Sequence, residues 1–228
     1  MEGSTALRQR PAWFYVLMGC GAAGGLVLLL CLGSFLGLAK CGYDAQQGVL
    51  DPETRKANAI KQLGAIPEGY SVAASIDVFL GQQTTLVDSD LLPDGGFQIG
   101  AGHLFVYRRV MAQAANQPIR DFLLGKEVEP GRLVGSGINP DPDSILKRGT
   151  LTVEGRTLHY ITQRALLDLD PGLLTHVLFD CPGDALSVGT WAQLAPSPNL
   201  PKDELELAGT VADEAELARF FKSMNPCR

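Results

Sequence analysis

Few side chains in this sequence stand at the spacings that catalysis or metal binding demands. The three histidines, His103, His159 and His176, are far apart, and no HxxxH or CxxC pair offers two ligands to one metal. Asn139-Pro140-Asp141-Pro142-Asp143-Ser144 sets oxygens at alternate positions, as calcium loops do. It lacks the central glycine, carries two prolines instead, and has Thr150 where an EF-hand places its glutamate. Gly135-Ser136-Gly137 does not match the G-x-S-x-G nucleophile elbow, and Gly100-Ala101-Gly102 precedes a strand pattern rather than opening a helix. Arg108, Arg109 and Arg120 could meet an anion or could be solvated charges at element ends. These residues assign no catalytic group, no cofactor and no metal. A binding or assembly domain is the leading expectation. The alternatives are a membrane-tethered hydrolase, its site gathered from the 125–149 loop and the strand ends, and a cytoplasm-facing domain of unknown role.

Cysteine is more informative. Cys20 and Cys31 lie within an apolar run and read as small apolar residues. Cys181 follows an expected strand and Cys227 follows the last expected helix. In an oxidising compartment a bridge between them would pin that helix to the sheet. Cys41 is then left without a partner in its own chain, which suggests a bridge to a second copy.

What decides the compartment is the run from Trp13 to Ala39, 27 residues without a charged side chain. As a helix it would extend roughly 40 Å at about 1.5 Å per residue, and about 20 apolar residues suffice to span the hydrocarbon core. Arg8 and Arg10 precede it and Lys40 is soon answered by Asp44, so the basic excess places the short N-terminal side in the cytoplasm. The chain then divides into a cytoplasmic tail (1–12), a transmembrane helix (13–39), a spacer (40–50) and an extracytoplasmic domain (51–228). The run is too long for a cleaved signal peptide, and Leu17-Met18-Gly19-Cys20 has too short an apolar stretch before it for a lipobox. Two glycine pairs, Gly21/Gly25 and Gly33/Gly37, would let helix backbones approach. They lie about 120° apart around the helix, so one straight interface cannot use both. Gly33, Gly37 and Cys41, spaced by four, form the candidate face for a homodimer in the lipid bilayer.

Outside residues 1–40 the chain holds 16 basic (19 − 3) and 24 acidic (25 − 1) side chains, a formal charge of −8. Nucleic acid is a poor partner for so acidic a domain. Its pattern reads as α+β. Asp51-Pro52-Glu53 and Gly64 bracket a helix over 52–63 with Ala57, Ile60 and Leu63 at helical spacing. From Tyr70 the period becomes two, placing Tyr70, Val72, Ala74, Ile76, Val78 and Leu80 on one strand face. Strands are expected over 83–87, 104–111, 174–179 and 186–194, with a short helix over 116–124. Residues 125–149 read as a long loop that holds at most one short strand. Glu154-Gly155-Arg156 turns a hairpin between β-branched runs. Thr210 to Asp213 reads as the capping box of a last helix that buries Leu217, Phe220, Phe221 and Met224. The sum is one domain with a mostly antiparallel sheet covered by helices.

Overall fold

Where proline, acid and glycine bracket the first helical pattern, helix α1 runs from Pro52 to Leu63. The Asp51 carboxylate accepts from the Thr54 N–H at 2.8 Å, and Gly64, at φ 81°, closes the helix by donating to the Ile60 carbonyl. A computed structural model describes residues 51–78, 81–88, 102–110, 116–126, 142–167, 170–181, 185–195 and 204–227. All belong to the second of two units, 1–43 and 44–228. The stretch 13–39, with Gly33 and Gly37, and Cys41 beyond it, lie outside the described residues. Among the described residues no helix is long and apolar enough to cross a membrane.

Seven strands form one antiparallel sheet: β1 (Tyr70–Val78), β2 (Gly81–Asp88), β3 (His103–Val110), β4 (Ile145–Val153), β5 (Arg156–Leu167), β6 (Asp170–Phe179) and β7 (Leu186–Leu194). Their spatial order is β1-β2-β3-β7-β6-β5-β4. Thus β1 to β3 meander from one edge, β4 to β7 meander from the other, and β7 closes the sheet against β3. Helix α2 (Gln117–Leu123) lies in the chain between the two meanders, and helix α3 (Glu214–Phe221) follows them. The one short strand allowed within 125–149 is the start of β4, which begins at Ile145 and pairs with β5 across a register shift between Ile145 and Lys147.

α1 and α3 cover one face, over a core that includes Leu63, Leu86, Phe105, Tyr107, Val177, Phe179, Trp191 and Phe221. α2 seals part of the other face with Ile119, Phe122 and Leu123 against Ile161, Leu178 and Val188. Six strand spacings of about 4.8 Å would set the edges of a flat sheet nearly 30 Å apart. Yet Tyr70 of edge strand β1 meets Phe220 of α3 with ring centroids 4.8 Å apart, and Lys147 of the opposite edge strand pairs with Glu214 of α3 at 3.2 Å. The sheet therefore curls around α3.

Two expected faces are corrected. A bulge between Val72 and Ala74 shifts the register of β1, so Ser75 and Asp77 point to the helix side while Ala74 and Ile76 turn away. The helix answers with polar groups. Gln62 donates to the Ile76 carbonyl at 2.9 Å and accepts from Thr84 at 2.7 Å, and Lys61 reaches Asp77 at 2.7 Å. The buried side of α1 is accordingly Ala59, Gln62 and Leu63, and Ile60 is exposed. At α3 the cap is Asp213, which accepts from the Ala215 N–H at 2.9 Å. Thr210 instead donates to the Leu207 carbonyl within the preceding turn.

The buried faces of α3 hold as expected, with Leu217, Phe220, Phe221 and Met224 in the core. A disulfide joins Cys181 at the end of β6 to Cys227. Closing a loop of 46 residues contributes about 4 kcal/mol in the chain-entropy account.

On the other face His176 is fully buried, with Nδ1 2.9 Å from Thr190 Oγ1 and Nε2 without a partner among the described residues. Burial holds its imidazole down, to about 4 from 6.5. The folded state therefore takes up this proton later than the unfolded chain does. The stability that the neutral ring contributes is complete above about pH 6.5 and is lost as the pH falls toward 4. Between pH 7 and 4.5 the loss from this group should be about 2–3 kcal/mol. Urea unfolding of the His176→Leu chain at both pH values should show an acid loss smaller by that amount. An equal loss in both chains would refute the assignment.

Candidate functional site

The ends of four elements converge beside α3. Tyr70 opens β1, Asp88 closes β2, His103 opens β3 and Trp191 lies on β7, opposite Phe105 in the ladder. Together with Arg219 and Phe220 of α3 they line an open cavity of about 910 Å³. Trp191 stacks on Phe220 with centroids 4.2 Å apart and planes 12° from parallel, and the His103 ring tilts against Trp191 at 5.5 Å. These rings make an apolar floor. Trp191 and Phe220 are almost wholly buried, whereas the Asp88 and His103 side chains keep about a quarter to a third of their surface.

Two sets of hydrogen bonds border these rings. The Trp191 indole N–H can only donate, and Tyr70 Oη accepts it at 3.1 Å. Tyr70 stands opposite Asp88 in the β1–β2 ladder. Burial, followed by the charge of Asp88, pushes the Tyr70 hydroxyl well above the ordinary tyrosine range, which keeps its proton in place. Asp88 Oδ2 accepts twice from one residue, from the His103 backbone N–H at 2.8 Å and from the His103 ring Nδ1 at 3.1 Å. The ring is thereby held at two points.

Charge around the cavity is mixed. Glu68, Asp88, Glu154 and Glu216 line it together with Arg219 and Lys222, and Arg219 is paired with Glu216 one helical turn away. Such a site can hold an organic molecule against an apolar floor and read its polar groups at the rim. The described partner of His103 is Asp88, and no hydroxyl or thiol among the described residues is hydrogen-bonded to its ring. No group of three His, Cys, Asp or Glu side chains suited to a metal occurs among the described residues.

The residues singled out by sequence are scattered. Arg108 and Arg109, successive on β3, face opposite sides of the sheet. Arg108 Nε donates to Gln83 at 2.9 Å, and Arg120 pairs with Asp180 at 2.8 Å, so the three form no anion site. His159 lies near Thr150 at 3.3 Å, and Asp143 is exposed in a 3-10 turn, while Asn139 and Asp141 lie outside the described residues, as do Ser136 and its glycines. Asp88 and His103 were missed because 14 residues separate them in the chain; only the β2–β3 register, Val87 against Leu104, sets them side by side. Comparison with known proteins yields no match to a family model, to a curated protein or to a solved structure.

Replacing Tyr70 by Phe removes the acceptor of a buried indole N–H. The expected cost is about 1–3 kcal/mol of stability, measured by urea unfolding followed by circular dichroism. A loss below about 0.5 kcal/mol would mean that Tyr70 does not satisfy Trp191.

Proposed function

We propose that this chain is a single-pass membrane protein whose extracytoplasmic domain acts by binding, with the cavity beside α3 as its ligand site. The Cys181–Cys227 disulfide is the observation that carries the compartment, because such bridges form and persist in oxidising surroundings. It agrees with the cytoplasmic placement of Arg8 and Arg10 and with the uncharged run from Trp13 to Ala39. The binding role rests on the cavity itself, whose floor is aromatic and whose rim carries oriented polar groups. A membrane-tethered hydrolase is the second reading, favoured by one feature: the Asp88–His103 pair resembles the orienting half of a catalytic dyad.

In this proposal the bilayer is the first partner and a second copy of the chain is the next. Gly33 and Gly37 would pack two helices closely enough to bring both Cys41 thiols together. Dimer formation without reductant in the wild-type chain, and its loss in Cys41→Ser, is the expected result on non-reducing gels. A Cys41→Ser chain that still ran as a dimer would refute the bridge. For topology, alkaline phosphatase fused after Arg228 should be active and a fluorescent protein at the same point dark. The converse pattern would place the domain in the cytoplasm and overturn the proposal.

A further inference from the structure

The geometry points to His103 Nε2 as the acceptor by which the cavity reads its ligand, so that the site takes molecules presenting an O–H or N–H donor on an apolar body. This rests on the reading of the cavity as a ligand site and adds the chemistry of what enters it. An ionised carboxylate only accepts, so the 3.1 Å contact with Asp88 Oδ2 requires the His103 proton to sit on Nδ1. The second bond to the same oxygen, from the His103 backbone N–H, ties the carboxylate to the ring that it orients. Asp88 stands opposite Tyr70 in the β1–β2 ladder, and Trp191 donates to the tyrosine oxygen at 3.1 Å. The His103 ring proton therefore has one place.

What remains is the far side of the ring. In the neutral imidazole Nε2 is a bare lone pair, the ring lines the cavity, and Nε2 has no hydrogen-bond partner among the described residues. Trp191 and Phe220, stacked on each other and almost wholly buried, border the cavity beside it and make its near wall apolar. Glu68 and Glu154 on the same rim add acceptors. A ligand donor would pair with Nε2, whereas an acceptor would meet its lone pair; the rim sets Glu68, Asp88 and Glu154 against Lys222 and an Arg219 already paired with Glu216.

The test uses the full chain in lipid nanodiscs at pH 8, above the ordinary histidine range, with ¹⁵N-labelled histidine, tryptophan and tyrosine. Long-range proton–nitrogen correlations should show His103 with its proton on Nδ1. Phenol and anisole, compared at matched free aqueous concentration, differ in one donor, and phenol should shift the His103 and Trp191 signals with about tenfold higher affinity, the equivalent of one hydrogen bond. Benzoate should bind more weakly than phenol. In His103→Ala, with the buried His176 signal as the check on folding, phenol and anisole should bind alike, and Asp88→Asn should lose the single tautomer. A proton on Nε2, or anisole or benzoate binding as tightly as phenol, would overturn the inference and leave the cavity as a ligand site. If no probe moves Tyr70, His103 or Trp191, the cavity is not such a site and both readings fall.

Discussion

The structure depends on holding one short helix inside a curled sheet. At eight residues α3 is too short to persist alone, since a nucleated helix needs about 12–15 residues to be marginal in water. Its order comes from what surrounds it. Phe220 and Phe221 meet Phe105, Phe179 and Trp191 at edge or stacked geometries, and a buried aromatic side chain contributes about 1.5–3 kcal/mol. The approach is close enough to fix residue choice on the sheet: a Cβ at Gly189 would lie 2.6 Å from the Phe105 ring. Only glycine leaves room there.

The end of α3 is secured three times over. Arg156, the first residue after the Glu154-Gly155 turn, donates to the carbonyls of Phe221 and Met224, groups that a helix end leaves without partners. Asn225 donates to the Leu63 carbonyl at 2.6 Å, joining the C-terminal segment to the end of α1. Cys227 is bonded to Cys181 two residues beyond the end of β6. Hairpin, first helix and central sheet thus meet on one stretch of about seven residues. Polar groups beneath the helices are satisfied in ordered rows. Thr84 donates to Gln62, so its partner at 2.8 Å, Ser75, must donate to Thr84. In the same way Thr175 donates to the Val211 carbonyl and receives from Thr162.

Local chemistry made part of this legible. The bounds of α1 follow from Asp51, Pro52 and Gly64, the β4–β5 turn from Glu154-Gly155, and the core side of α3 from its apolar spacing. Each is decided within a few residues. The bulge in β1 was not legible, because Ala73 and Ala74 are both small and a one-residue slip leaves an alternating pattern that still looks intact. The same slip misassigned the face of α1, since a polar strand face asks for Gln62 rather than Ile60. Pairing across distance was legible only where chemistry offers few partners and each stands at the end of an element, as with Cys181 and Cys227. Asp88 and His103 carry no such restriction and become a pair only once the register of β2 and β3 is known.

The same constraint that holds α3 also creates the cavity. A sheet curled around a helix of eight residues cannot follow it beyond its ends, and at the strand termini Tyr70, Asp88 and His103 are left bordering open space. Residues there are supported from below by the aromatic packing and relieved of packing above. That combination suits recognition, because a group is useful to a ligand when its own position is already fixed and one of its bonds remains unmade. Trp191 belongs to both parts, stacked on Phe220 in the core and donating to Tyr70 at the rim. Stability of the helix and orientation of the rim are therefore set by one side chain, and a change that loosens α3 should loosen the site with it.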